Sequence, residues 1–144
     1  MWGVLNRTLL GSALVAALAL AGCADPPAGA GGPAGDGPRP AVAGDLTGGH
    51  WYPADGTAQG RAFAEFAADG SWTGSDGCNG QSGTWALDDD GTFTGTAGMS
   101  TLIGCENVPV AFWIDEAVRA GTDDGDLLLH DAAGETVRLV RELP

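Results

Sequence analysis

The distribution of apolar and polar positions divides the chain into three parts. Positions 9–20 are mostly apolar, positions 24–44 are dominated by small residues, and from position 45 short apolar runs alternate with Gly- and Asp-rich breaks. Short runs separated by turn residues are typical of antiparallel strands. The third part, residues 45–144, is therefore predicted to be a β-rich domain.

Seven strands are predicted in this β-rich part. Asp69-Gly70 is a tight-turn pair, so the runs on either side of it should form a hairpin. In the first of these runs Phe63 and Glu65 share one face and Phe66 lies on the other, as in a strand with two different faces. The predicted strands are His50–Pro53, Phe63–Ala67, Ser71–Ser75, Gly83–Leu87, Thr92–Thr96, Asp126–His130 and Thr136–Arg141.

One helix is predicted between the fifth and sixth strands. Pro109 fits a first helical position because its φ is fixed and it has no N–H to leave unpaired. Ala111, Ile114 and Val118 follow with the spacing of one helical face. The same spacing reaches Gly121, a residue suited to ending a helix. These elements predict a mainly β (α+β) domain: a curved antiparallel sheet with one inserted α-helix.

Residues 1–22 have the organisation of a lipoprotein signal peptide. Arg7 precedes the apolar stretch, which is shorter than the roughly 20 residues that a membrane-spanning helix needs. Leu20-Ala21-Gly22-Cys23 resembles the bacterial lipobox. The resemblance implies cleavage before Cys23 and attachment of diacylglycerol to its thiol, which makes Cys23 the predicted lipidation site. The alternative is an ordinary secretory signal with an incidental cysteine.

Residues 24–44 are predicted to be a disordered tether. Of these 21 residues, 17 are Ala, Gly or Pro, and such a segment buries too little apolar surface to offset its ordering entropy. As a flexible coil it would span about 25 Å. With lipid on Cys23, segment 23–44 would hold the domain at the outer face of the cytoplasmic membrane, or on the periplasmic side in a diderm. Two or three acyl chains suffice for durable attachment.

The charge balance narrows the choice of partners. The chain has 19 Asp and Glu against 6 Arg and no Lys, for a formal charge of −13. Nucleic-acid binding needs clustered basic side chains, so no nucleic-acid partner is expected. Electrostatic attraction to anionic lipid heads is equally disfavoured. Attachment to a membrane is therefore expected to depend on the lipid. The sequence does not identify a protein or small-molecule partner.

Cys78 and Cys105 remain if Cys23 carries lipid. An even pair outside the cytoplasm is expected to form a disulfide, which would stabilise the fold by roughly 3–4 kcal/mol. Two buried thiols and a reactive pair are the alternatives. With only His50 and His130 elsewhere in the domain, a zinc site is not expected. Around Cys78, the segment 77–80 is predicted to be a tight structural turn because Gly and Asn tolerate positive φ; a binding turn is the alternative.

Six short motifs occur together in the β-rich part. They are Leu46-Thr47-Gly48-Gly49-His50-Trp51, Asp69-Gly70-Ser71-Trp72-Thr73-Gly74, Gly77-Cys78-Asn79, Gly83-Thr84-Trp85, Ser100-Thr101-Leu102-Ile103-Gly104-Cys105 and the Leu-rich segment 127–134. In order and spacing they resemble the META domain family, typified by a heat-shock lipoprotein, over about 45–143. The resemblance implies a half-open antiparallel β-barrel with one helix. It also marks the motif residues Trp51, Gly77, Asn79, Gly83, Trp85 and Thr101 as structural.

The sequence departs from the family pattern at two places. Gly80-Gln81 stands where the family often has Arg and a bulky residue, and the helix keeps only Asp115 and Glu116 of the family's Glu-rich exposed face. Both departures lie on expected surface positions. They put in doubt any surface-mediated role carried over from the family, but not the fold.

No catalytic motif is present. The sequence lacks a Gly-x-Ser-x-Gly elbow and a phosphate-binding loop, and the acidic runs 88–91 and 123–126 lack the spacing of an EF-hand. We therefore expect that the chain is not an enzyme and that it needs no metal or cofactor. The expected function is that of a non-catalytic binding or stress-response module in the cell envelope. The alternative is a small-molecule or lipid carrier using the open end of the barrel, which a cavity of a few hundred Å³ would favour and a tryptophan-filled core would disfavour.

Overall fold

The computed structural model describes residues 37–143. The predicted signal peptide, the lipidation site Cys23 and most of the tether lie outside these residues. The strands are β1 (Arg39–Pro40), β2 (His50–Pro53), β3 (Ala62–Phe66), β4 (Ser71–Asp76), β5 (Gly80–Leu87), β6 (Phe93–Ser100), β7 (Ala117–Asp123), β8 (Asp126–Asp131) and β9 (Thr136–Val140), and the helices are α1 (Ala43–Leu46) and α2 (Val110–Glu116).

All nine strands belong to one antiparallel sheet in the order β1-β7-β8-β9-β2-β3-β4-β5-β6. The sheet curls until its two ends approach each other: Thr92, just before β6, forms a bridge with Arg119 of β7, and Ala120 donates a backbone hydrogen bond of 2.9 Å to the Gly91 carbonyl. The predicted half-open antiparallel barrel with one inserted helix is therefore confirmed.

The core lies on the concave side of the curled sheet. In β3, Ala62, Ala64 and Phe66 are buried while Phe63 and Glu65 face outward, so the predicted alternation of faces is confirmed. Helix α2 packs against β6 and contributes two fully buried side chains. The largest buried side chains are Trp51, Trp72, Phe66, Leu46, Ile114, Leu127, Leu139 and Val110.

The predicted continuation of the helix to Gly121 is wrong. Helix α2 ends at Glu116, and Ala117–Asp123 is strand β7. This segment pairs along its length with β8, with Ala120 opposite Leu129 and Thr122 opposite Leu127. Tertiary pairing thus overrides the helical spacing of the apolar residues. Val118, which was placed on the buried helical face, is 41% exposed at a register shift in β7.

The predicted disorder of the tether is wrong for residues 39–44. Arg39 and Pro40 pair with Thr122 and Gly121 of β7, and Ala41 is fully buried. The Asp45 carboxylate accepts two hydrogen bonds of 2.8 Å from the Arg39 guanidinium. The pairing partners Gly121 and Thr122 lie about 80 residues away in the sequence, which is why local composition did not reveal that this segment is ordered.

Neither described helix could cross a bilayer: within 37–143, no helical segment is both long and apolar enough.

Candidate functional site

Three tryptophans fill the interior of the half-barrel. Trp51, Trp72 and Trp85 are 2%, 1% and 8% exposed. Each indole N–H donates to a main-chain carbonyl: Trp51 to Leu46 at 2.8 Å, Trp72 to Thr96 at 2.9 Å. Trp85 donates to the carbonyls of the β3–β4 turn. Because their polar atoms are satisfied inside the fold, these rings are structural.

Gly83 leaves room for the Trp72 indole and for the close approach of strand β6. It sits opposite Trp72 in the β4–β5 ladder. A Cβ at Gly83 would overlap the Thr96 carbonyl oxygen and the Trp72 indole nitrogen. The predicted motif residues Trp51, Gly83 and Trp85 therefore all serve the interior of the barrel.

The turn between β4 and β5 is built around a buried carboxylate that the sequence analysis did not single out. Asp76 is 6% exposed and Asn79 4%. One carboxylate oxygen of Asp76 accepts the backbone N–H of Cys78 at 2.8 Å and of Asn79 at 2.6 Å, and the other accepts the Asn79 amide at 3.1 Å. Burial would raise the pKa of Asp76, but the hydrogen bonds from Asn79 and Cys78 outweigh it and lower the pKa.

Gly77 completes this turn with a φ of 95°, a conformation that glycine adopts without strain. A Cβ there would also overlap the side chain of Ala58. The predicted tight turn is thus a structural element. The signal that could have identified Asp76 is its place directly before a glycine and three residues before Asn79, as in side-chain-stabilised turns.

Asn79 and the disulfide fasten a second loop to this turn. The Asn79 side chain accepts the Ile103 N–H at 2.6 Å and donates to the Ile103 carbonyl at 3.2 Å. The structure contains the predicted disulfide between Cys78 and Cys105, whose Cα atoms lie 6.3 Å apart. The loop after β6 is therefore fastened to the turn at Ile103 and at Cys105.

We name residues 99–104 the apolar tip. Met99 and Leu102 are 90% and 95% exposed and Ile103 is 60% exposed. The predicted motif residue Thr101 lies in the middle of the apolar tip with its side chain exposed, and its N–H lies 3.4 Å from the Gly80 carbonyl. The apolar tip therefore exposes large apolar side chains to solvent, while hydrogen bonds and the disulfide hold the adjoining backbone.

Arg141 joins the C-terminal strand to the start of the domain. Its guanidinium lies 3.7 Å from the centre of the Trp51 ring and donates to the carbonyls of Asp45 and Thr47 at 2.8 and 2.9 Å. Burial lowers the pKa of Arg141, and an arginine nonetheless stays charged at neutral pH. The contacts cap the last carbonyls of α1 with a cation, the favourable sign for a helix C-terminus.

The histidines lie apart from each other. His50 is on the outer face of the sheet, where its ring lies 4.4 Å from that of Phe63 and its Nε2 is 3.2 Å from the Glu65 carboxylate. His130 is hydrogen-bonded to Thr136 at 2.8 Å. Over residues 37–143, no group of three or more His, Cys, Asp or Glu side chains is arranged to hold a metal ion.

The acidic runs are turns with internal partners. In the first run, the Asp90 carboxylate accepts the Thr92 N–H at 2.9 Å. In the second, Asp123 and Asp126 both pair with Arg138, at 3.0 and 2.6 Å. These contacts give the acids structural roles in the hairpins.

Comparison with solved structures gives one fold relative. A crystal structure of a DUF4847 family protein from Bacteroides vulgatus ATCC 8482 superposes with a TM-score of 0.52 at 18% identity, covering 69% of this chain and 96% of that one. At this identity the likeness concerns the fold. No curated protein sequence matches the chain.

The comparison with family models agrees with the motifs and the fold. The model of the META domain matches residues 44–143, a range that begins at α1 and ends just after β9. It includes the buried tryptophans, the Gly77–Asn79 turn and both cysteines of the disulfide. This chain belongs to the META domain family.

Proposed function

We propose that this protein is an exported lipoprotein and that its META domain is a non-catalytic binding module acting in the envelope stress response. The lipid on Cys23 would anchor it to the outer face of the cytoplasmic membrane, or to the periplasmic side of a diderm envelope. The motif Leu20-Ala21-Gly22-Cys23 and the apolar segment before it support the anchor. The disulfide fits an oxidising compartment outside the cytoplasm.

The observation that carries the binding role is the apolar tip. Exposed apolar surface of this kind is typical of interaction sites. Here Asp76, Asn79 and the disulfide hold the backbone that displays Met99, Leu102 and Ile103. A preformed loop loses little conformational entropy when a partner binds, so its contacts contribute more fully to affinity.

The charge distribution supports the same assignment. Residues 91–105 contain no charged side chain, although the whole chain has a formal charge of −13. Charged residues are depleted in the centres of protein interfaces. A partner that docks on the apolar tip therefore buries few charges, while the acids elsewhere keep the rest of the surface hydrated.

The ionisable groups support a non-catalytic domain. The pKa of Asp45 is lowered by its hydrogen bonds with Arg39, and Asp69, Asp76 and Asp90 have lowered pKa values because of hydrogen bonds within turns. Their turns lie at different places in the sheet, whereas catalytic groups with shifted pKa values share one cleft. A carrier that holds its ligand inside the open end of the barrel is disfavoured, because Trp51, Trp72 and Trp85 occupy the barrel interior.

The anchor is tested by the intact mass of the protein purified from membranes. We expect a chain that starts at Cys23 with the added mass of diacylglycerol, and a Cys23→Ala variant that no longer fractionates with membranes. A wild-type product that is soluble and carries no lipid would overturn the anchor. Such a result would leave the binding role to be judged by its own experiment.

The binding role is tested by rescue of a deletion strain under heat or antibiotic stress. We expect the tip variant Leu102→Ser/Ile103→Ser to accumulate and fold normally but to lose rescue. The matched control is Val118→Ser/Leu143→Ser, which removes two other partly exposed apolar side chains (41% and 45% exposed) and should retain rescue. Full rescue by the tip variant would contradict the proposal.

A further inference from the structure

A groove lies between helix α2 and the β8–β9 hairpin. Its volume is about 290 Å³. Trp113 of the helix, Leu129 of β8 and Val137 of β9 give it an apolar lining, and Phe112 stands at its side, 61% exposed. The groove is therefore an outer-surface site, separate from the tryptophan-filled interior.

Trp113 differs from the other tryptophans of the domain. The indole N–H groups of Trp51, Trp72 and Trp85 are bonded to main-chain carbonyls. Among the described residues, the Trp113 indole N–H has no hydrogen-bond partner, and the residue is half-buried rather than buried. Trp113 packs against the core while part of its ring stays exposed, so the ring, rather than its N–H, is available to contact a ligand.

The edge of the groove carries only negative charge. Glu116, Asp131 and Glu135 line it, together with the Thr136 hydroxyl, and no arginine or histidine does. Asp131 accepts the backbone N–H groups of Ala133 and Glu135 at 2.9 Å, which fixes the hairpin turn. The carboxylates of Glu116 and Glu135 form no hydrogen bond or ion pair with any described residue, so they are available to a ligand.

We propose that this groove binds a small organic cation with an apolar body, such as an arylalkylammonium. The face of an indole or phenyl ring attracts an ammonium group, and the attraction grows as water is excluded. The unpaired carboxylates add charge complementarity, while Leu129 and Val137 provide a surface for the apolar body. A volume of about 290 Å³ lies at the lower end of the range for small-molecule sites.

The site is independent of the proposed function. It uses neither the lipid on Cys23 nor the apolar tip, and it would stand if either were overturned. It differs also from the barrel-end carrier, because the ligand would lie on the outer surface against Trp113.

The first experiment uses three probes of one shape and different charge: 4-phenylbutylammonium, 4-phenylbutanol and 4-phenylbutanoate. They are titrated into the full chain in detergent, and the indole N–H signals are followed by ¹H–¹⁵N NMR. We expect the ammonium probe to shift the Trp113 signal saturably and to bind roughly 10-fold more tightly than the alcohol. The carboxylate should bind still more weakly. Equal affinities for the three probes would overturn the cation specificity.

Variants separate the groove from non-specific effects of charge and detergent. Glu116→Gln/Glu135→Gln should weaken binding of the ammonium probe by roughly 3- to 10-fold and leave the alcohol unchanged. The control Glu106→Gln/Glu142→Gln makes the same change of net charge at two exposed positions outside the groove and should leave both affinities unchanged. If the two double variants weaken binding equally, the effect comes from long-range electrostatics, and the groove is not the binding site.

Trp113→Leu tests the aromatic contribution. It keeps an apolar side chain over the core but removes the ring face, so the preference for the ammonium probe over the alcohol should fall by roughly 3- to 10-fold. A Trp113→Phe variant keeps a ring and should retain most of the preference. If both variants bind the ammonium probe like the wild type, the groove is not the binding site.

Discussion

The barrel interior and the apolar tip arrange polar and apolar groups in opposite ways. In the interior, the rings of Trp51, Trp72 and Trp85 are buried and their N–H groups are bonded to main-chain carbonyls. In the tip region, the carboxylate and amide of Asp76 and Asn79 are buried, and the side chains of Met99, Leu102 and Ile103 face solvent. The first region is stabilised by its apolar side chains, and the second by hydrogen bonds and a disulfide.

The interior side chains therefore determine the stability of the domain, whereas the side chains of the apolar tip contribute little to it. Removal of a buried ring leaves a cavity and loses apolar burial. Removal of an exposed side chain at the tip should leave the fold almost unchanged, because that side chain packs on little. Variants of the two regions should therefore differ most in unfolding free energy.

Trp72→Ala should destabilise the domain by about 3–5 kcal/mol, because it opens a cavity and leaves the Thr96 carbonyl without its indole donor. Urea unfolding at neutral pH measures the loss. Trp72→Phe keeps most of the ring and should lose less. A loss below about 1 kcal/mol for Trp72→Ala would show that the interior does not depend on this ring.

Cys78→Ala/Cys105→Ala should cost about 3–4 kcal/mol, the value expected for opening a loop of 27 residues. The same unfolding measurement applies, and treatment of the wild type with reductant provides the control because it should give a similar loss. If the double variant is as stable as the oxidised wild type, the disulfide does not stabilise the tip region.

Asp76→Asn should destabilise the domain by about 1–3 kcal/mol at pH 7, since the buried amide cannot accept all the N–H groups that the carboxylate accepts. The hydrogen bonds lower the pKa of Asp76 in the folded state, so its stabilising contribution is complete above the unfolded pKa of about 3.9 and is lost as pH falls through the folded pKa. The difference in stability between the variant and the wild type should therefore shrink progressively as pH falls below the unfolded pKa of about 3.9.

Asp89→Asn is the matched control for Asp76. Asp89 is exposed in the β5–β6 turn, and exposed positions of this kind change stability by less than about 0.5 kcal/mol. A difference between Asp76→Asn and wild type that stays constant down to pH 2 would contradict the role assigned to the ionised carboxylate.

Leu102→Ser should change stability by less than about 0.5 kcal/mol, because the side chain is 95% exposed. Its expected effect lies in partner binding. A loss above about 1 kcal/mol in the free protein would mean that the tip packs against the domain, and the contrast between interior and tip would then disappear.

Most of the sheet could be predicted because its signals are local. The Asp69-Gly70 turn and the alternation of Phe63 and Phe66 with polar neighbours lie within a few residues of one another, and β3 and β4 form where they indicate. Helix α2 was extended wrongly because Val118 and Gly121 fit a helical spacing. The segment instead pairs with β8, which begins at Asp126, and a local pattern does not reveal which segment a strand will pair with.

The functional surfaces were harder to predict because they depend on exposure and on distant residues. Leu102 and Ile103 are apolar, so their pattern alone would place them in a core; their exposure follows from the Asn79 contacts with Ile103. The groove joins Trp113 to Leu129 and Val137, which come from three different elements. The cysteines were the exception, since an even pair of cysteines in a small domain that is expected outside the cytoplasm already indicates a pairing.

The central place of β2 has a consequence for the order of folding. Trp51 in β2 pairs with Ala64 of β3, and Tyr52 in the same strand pairs with Val140 of β9, while Arg141 reaches back to Asp45. The early strand β2 therefore cannot complete its pairing until β9 is available, and such distant pairings form slowly. A chain that emerges N-terminus first cannot close this sheet before β9 has emerged. For the export proposed above, this order of folding would keep the domain unfolded during most of its translocation.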